Sequence, residues 1–358
     1  MKNRFILLVL SVVVSSLLPM KIIAQNSAPK INISISIDTI FTDKISIRAI
    51  LIDKNKVWYA ADSNRFGYYD IETKSRVERK IANDSLQLEF RSIAQTSNSI
   101  FILSVGNPAV LYKIDKKNLR TTLVYKEIHE KVFYDAMQFW NNIEGIALGD
   151  PIQDCFSILI TRDGGNSWKK TSCENLPKIV DGEAAFAASN TNICIKGPKT
   201  FLVSGGIKSR VFVSKNKGVS WKVFDTPINQ GHAMTGIFSA DFYNENIGII
   251  VGGNYEEQLD NAANKAITFN AGKTWKLISS NEGFGYASCV QFIPNSKGNK
   301  LVSVGATGLY SSCNQGTTWE KVLEDKELYT IRFQNDVIAF AAGKNKLICI
   351  RFKNNKEY

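Results

Sequence analysis

The chain has 358 residues, of which 44% are hydrophobic, 22% charged and 11% aromatic, a globular balance that excludes disordered, collagen-like and coiled-coil classes. The formal charge is +11, and only two histidines, His129 and His232, are present, which leaves little room for multi-histidine metal chemistry. The lysines are scattered and accompanied by abundant Asn and Ile, so a compositional bias accounts for the charge as well as a basic binding face does, and no nucleic-acid partner is expected.

Residues 1–25 read as an export signal. Lys2 and Arg4 give a positive start, 5–18 is largely apolar, and Ala24 offers a small residue before a cut. The apolar run is short for a membrane span, and no other run of about 18 apolar residues follows, so no transmembrane anchor is expected. Losing Lys2, Arg4 and Lys21 with this segment lowers the net charge from +11 to +8. Residues 26–358 are expected to form one secreted or periplasmic, monomeric domain.

The next segment, 31–40, alternates Ile with polar residues and predicts a half-buried strand. Short β-rich runs then recur in fours: 48–52, 57–61, 67–71 and 77–80, followed by 91–96, 100–105, 109–114 and 121–125. A third group reads 135–140, 144–149, 156–162 and 168–171. After Trp319 come 328–333, 337–342 and 346–352, three strands with no fourth. No useful length of the chain carries helical periodicity.

Four segments share the pattern Ser/Thr-x-Asp/Asn-x-Gly-x-Ser/Thr-Trp: 161–168, 214–221, 268–275 and 312–319. Their tryptophans are 53, 54 and 44 residues apart, so the chain repeats. Asp or Asn folds onto the turn backbone, Gly supplies a positive φ, and Trp packs a large apolar face against the next sheet. The pattern resembles the Asp-boxes of bacterial neuraminidase repeats, where the box joins the third and fourth strands of a propeller blade at its periphery. That resemblance implies a structural role for these residues.

The predicted fold is all-β: a seven-bladed β-propeller with four-stranded antiparallel blades, the ring closed when the 31–40 strand completes the last blade. The residues after the signal divided by seven give about 48 per blade, near the usual length, with six or eight blades as the alternatives.

Six cysteines lie at 155, 173, 194, 289, 313 and 349, with no CxxC and hence no zinc ribbon; no metal or cofactor is expected. Cys155 and Cys173 are symmetric about the turn at 163–165. In a regular hairpin they face each other at a distance a disulfide can bridge, whereas a one-residue bulge would turn them apart. Cys194, Cys289 and Cys349 lie in apolar strand patterns and read as buried thiols.

A propeller gathers the starts of its inner strands around one mouth of a central channel. The residues read there are Arg48, Arg91, Asp135, Glu183, a polar stretch at 232–235 beginning with His232, then Ser288 and Arg332. Arginine forks suit a carboxylate, sulfate or phosphate, and the carboxylates suit hydroxyls or a cation. The alternative is a water-filled channel with Arg–acid pairs across it. An enzymatic version would use Arg48, Arg91 and Arg332 as a sialidase-like triad, Tyr134 or Tyr286 as nucleophile, and Asp135 and Glu183 as carboxylates. The arginine-plus-proline motif of true sialidases is missing, which argues against it. The Gly-Gly pairs at 164–165, 205–206 and 252–253 precede no helix, so dinucleotide binding has no support.

The stretches 147–151 (ALGDP), 182–189 (GEAAFAAS), 236–239 and 251–255, with the Trp-marked turns, are similar to a group of exported bacterial propellers like the photosystem II stability/assembly factor. The likeness spans nearly the whole chain after the signal. It departs where Asn216, Asn270, Asn314 and Asn254 replace Asp. It implies a binding or assembly scaffold that recognises a protein or an anionic ligand, glycans included, at the channel mouth; a sialidase-like glycoside hydrolase is the alternative.

Overall fold

The computed structural model describes residues 33–82 and 86–354. The expected export signal at 1–25 lies outside the described residues.

Every strand pairs antiparallel with its neighbours, and within each group of strands burial falls from the inside outward. In one sheet Ser99–Ser104 (SIFILS) is buried on both faces, while its outermost strand, Thr121–Glu127 (TTLVYKE), is mostly exposed. Continuous apolar runs therefore make the inner strands and alternating polar ones the rim. The core lies between adjacent sheets: Trp58, Ala60 and Phe66 of one pack against Ile93, Ile100 and Ile102 of the next.

The inner strands follow one another round a closed circuit. The strand Ile33–Asp53 touches Phe90–Gln95 on one side and Leu328–Phe333 on the other, so the circuit closes where the two ends of the described chain come together. This is a β-propeller. Its blade count corrects the expectation of seven. The strands form six hydrogen-bonded sheets, four with four strands and two with six, so the propeller has six blades when each sheet is taken as a blade. The reason lies in Ile33–Asp53, which runs 21 residues without a break. Its first part pairs with Ile338–Asn354, from Ile33 opposite Asn354 to Ser46 opposite Lys344, and its last part pairs with Lys56–Ala61. Two units that read as separate blades in the sequence are thus one six-stranded sheet.

The four Trp-marked turns share one hydrogen-bond plan. The leading hydroxyl of Thr161, Ser214, Thr268 or Ser312 accepts from the glycine N–H four residues on, at 3.0, 2.9, 3.1 and 2.9 Å. Gly165 sits at φ +75°, where a Cβ would also strike the Phe101 ring at 2.3 Å. Asp163 accepts from the Ser167 N–H at 3.0 Å and from its hydroxyl at 2.7 Å. Where Asn replaces Asp, the amide Nδ2 donates instead to the hydroxyl of Ser220, Thr274 or Thr318, at 2.9, 2.8 and 2.9 Å. The hydroxyl reverses from donor to acceptor and the turn is kept.

Cys155 and Cys173 are joined by a disulfide with Cα atoms 5.5 Å apart, and Cys194, Cys289 and Cys349 are buried thiols. No helix among the described residues is long and apolar enough to cross a membrane.

Candidate functional site

The inner strands share a local irregularity. The pairing register slips between Ile47 and Ala49, Phe90 and Ser92, Ala136 and Tyr134, Ile237 and Ser239, Ala287 and Cys289, and Leu328 and Thr330. Each slip is a β-bulge whose unpaired residue is Arg48, Arg91, Asp135, Phe238, Ser288 or Tyr329. A bulge bends its strand and re-aims one side chain, and three of these six, Arg48, Arg91 and Phe238, line one cleft.

The axis itself is not an open channel. Residues 186–191 cross it and bond to inner strands on several sides. Asn190 Nδ2 donates to the Ile93 carbonyl at 2.8 Å and its Oδ1 accepts from the Met137 N–H at 2.9 Å. The Ser189 hydroxyl donates to the Ser288 carbonyl at 2.6 Å, and Arg332 Nη2 donates to the Ser189 carbonyl at 2.9 Å. The Thr191 hydroxyl donates to Ser239 Oγ at 2.8 Å. This plug leaves a separate cavity on each face.

On one face lies a cleft of about 350 Å³. Arg48 and Arg91 enter it from adjacent inner strands, facing an aromatic wall of Phe186, Phe238, Tyr255 and Tyr286. Phe186 and Phe238 stack at 3.9 Å, and Tyr286 meets Phe238 edge-on at 4.8 Å. The Arg48 guanidinium lies 4.1 Å above the Tyr329 ring, and its Nε is buried with no hydrogen-bond partner. Arg91 is oriented by Glu89, Nε to Oε1 at 2.8 Å.

Asp150 also lines the cleft, where Oδ1 accepts from the Ala185 N–H at 2.8 Å. Burial raises its pKa to about 6, opposed by that hydrogen bond. Asp135 lies fully buried behind it with neither carboxylate oxygen hydrogen-bonded. Burial, then the charge of Asp150, pushes Asp135 well above the usual carboxylate range, against the pull of Arg91. Asp135 and Asp150 thus form an interacting pair in which burial favours the protonated form of each.

The other residues read from the sequence lie elsewhere. Glu183 is buried in a structural pairing: Arg210 Nε donates to it at 3.0 Å and the Ser204 hydroxyl at 2.6 Å. His232 is exposed on a loop, its N–H donating to Thr235 Oγ1 at 3.3 Å, and only its neighbours Ala233 and Met234 line the cleft. Arg332 opens onto the opposite face. The Arg48, Arg91 and Arg332 triad is thus divided between two cavities. Of the proposed nucleophiles, Tyr286 is in the cleft, its hydroxyl meeting no carboxylate. Tyr134 does meet one, donating to Glu127 at 2.7 Å, but this pair is packed between blades. Sequence reasoning missed Phe238 and Tyr329, although both follow the bulge pattern of an apolar residue, the re-aimed residue and then a small one.

No family model matches the chain, and no curated protein matches it. Solved structures do. The chain is similar to YCF48 bound to D1 peptide at 14% identity, with a TM-score of 0.64 over 90% of this chain and 97% of that one. It is similar to YCF48 from Cyanidioschyzon merolae at 12% identity, with a TM-score of 0.62 over 90% of this chain and 99% of the other. The RRP9 WD40 repeats match at 11% identity and a TM-score of 0.61, over 88% of this chain and 97% of theirs. At these identities the likeness establishes what the three share with this chain, the propeller fold.

Proposed function

We propose that the chain is a recognition propeller that captures a protein segment by an anionic group held between Arg48 and Arg91. The observation that supports this most directly is the pair of guanidinium groups, both delivered by bulges, in a cleft walled by aromatic rings. Such a site offers forked hydrogen bonds to a carboxylate or phosphate and apolar area to the flanking residue. A relative in fold, YCF48, has been solved bound to D1 peptide, which agrees with a protein-binding or assembly role. The Cys155–Cys173 disulfide agrees with an exported protein in an oxidising compartment.

The test is an acidic-peptide array probed with the purified protein, followed by titration of the best binder. Arg48→Ala and Arg91→Ala are each expected to weaken binding by roughly tenfold or more, the loss typical when one partner of a hydrogen-bonded charge pair is removed. Glu183→Gln, away from the cleft, is expected to bind as the parent does. A double arginine variant with unchanged affinity rejects the site, and capture of an anionic glycan in place of any peptide rejects the partner.

A further inference from the structure

Behind the plug, on the opposite face, a second cavity of about 380 Å³ is walled by the other ends of the inner strands. Its polar groups are set differently from those of the cleft. Asp241 is anchored by the backbone: the Phe242 N–H donates to Oδ1 at 2.9 Å and the Phe292 N–H to Oδ2 at 2.7 Å. A carboxylate has about four acceptor sites, so two such bonds fix its plane and leave capacity for a ligand. Lys196 lines the same cavity close enough to act on Asp241 electrostatically, yet the two form no ion pair. Gln138 Oε1 is buried there and accepts no hydrogen bond. Arg332, the remaining charged group of the wall, is spent on the protein. Its Nη2 bonds the Ser189 carbonyl at 2.9 Å, and its Nη1 the Ile331 carbonyl at 2.8 Å and the Thr330 hydroxyl at 3.0 Å.

The cavity thus presents one unengaged cation, one anchored carboxylate and one acceptor lacking a donor. We propose that it binds a free α-amino acid as the zwitterion, its carboxylate against Lys196 and its ammonium between Asp241 and Gln138. A bare carboxylate would answer Lys196 but face Asp241 and leave Gln138 unsatisfied. A neutral polyol would satisfy the two acceptors and leave the ammonium of Lys196 without a counter-charge. An ammonium carries three donors and a carboxylate beside it, which meets all three needs within one small molecule.

Calorimetric titration of the whole chain with L-alanine, L-glutamine and L-leucine, against acetate, methylamine and glucose, tests this. At least one amino acid is expected to bind more tightly than the three controls by roughly tenfold. Lys196→Met and Gln138→Leu are each expected to weaken it by a similar factor, while Arg48→Ala in the other cavity leaves it unchanged. Lys196 holds no hydrogen bond or ion pair, so its variant keeps the fold and decides the matter. Acetate binding as well as the amino acids, unchanged binding in Lys196→Met, or no binding by any amino acid at millimolar concentration overturns the proposal.

Discussion

At neutral pH Asp150 carries a negative charge into a cleft whose other ionic groups are arginines. An anionic ligand meets that charge above a pH of about 6 and is spared it below. Affinity for an acidic peptide should therefore fall between pH 5 and 7.5, and Asp150→Asn should flatten the curve and raise the affinity at pH 7.5; titration at both pH values reads this out. Stability follows the same proton. The folded pKa lies above the unfolded one, so the folded state binds more protons between pH 4 and 6, and stability is lost as pH rises through that window. Thermal melts of Asp150→Asn should show a shallower slope, since that amide cannot ionise while Asp135, likewise raised by burial, still contributes.

Four of the six bulge residues, Arg48, Arg91, Asp135 and Ser288, are legible in the sequence as polar groups at strand starts. Phe238 and Tyr329 have the same neighbours but aromatic identities, and an aromatic beside a strand start reads as ordinary core. The polar residues of those two units, His232 and Arg332, lie six and three residues from the bulge. A bulge is a fault in pairing, and pairing is a property of two strands that one strand's alternation does not record.

Among the elements, the Trp-marked turns make a natural comparison of Asp with Asn. Partial burial pushes Asp163 up, but hydrogen bonds from Ser167, Thr161 and Asn166 outweigh it and hold the pKa at about 2. Its folded pKa lies below the unfolded one, so its contribution is present above pH 4 and is lost as pH falls towards 2. Asp163→Asn should form the same turn, as Asn216, Asn270 and Asn314 do, and should lose less stability between pH 4 and 2 than the parent. A chemical-denaturation series across that range checks it.

The disulfide is a second element-scale device. It closes a loop of 18 residues around the first of these turns, linking the chain just before Ser157–Thr161 to the chain just after Lys169–Lys170. Cys155→Ala with Cys173→Ala should cost roughly 2–4 kcal/mol through the freer unfolded chain, measured by denaturant melts. Symmetry about the turn allowed the bond in the sequence, but the observed pairing of Leu159 with Lys170 and Ile160 with Lys169 is offset by one residue from that symmetry, and Cys173 lies beyond the paired residues in the short turn Cys173–Asn175.

For the whole molecule, the repeat and the all-β ring were legible because four tryptophans mark them, whereas the blade count was not. A seam between blades is a break in hydrogen bonding, and Ile33–Asp53 passes through the expected seam without one. This strand also joins the two ends of the described chain. Deleting residues 33–42 should uncover the edge of Ile338–Asn354, and an uncovered strand edge templates association. The expected result is loss of the single cooperative melt and a shift to aggregates in size-exclusion chromatography; a monomeric, fully stable truncation would show that the pairing is dispensable.

The Ser189–Asn190 crossing lies between the propeller's two cavities and stands as a barrier between them. Yet the barrier is a single strip of backbone fastened at both edges. Arg332 grips it from below and Phe186 forms part of the aromatic floor above, so an occupant on either side leans on the same few peptide groups.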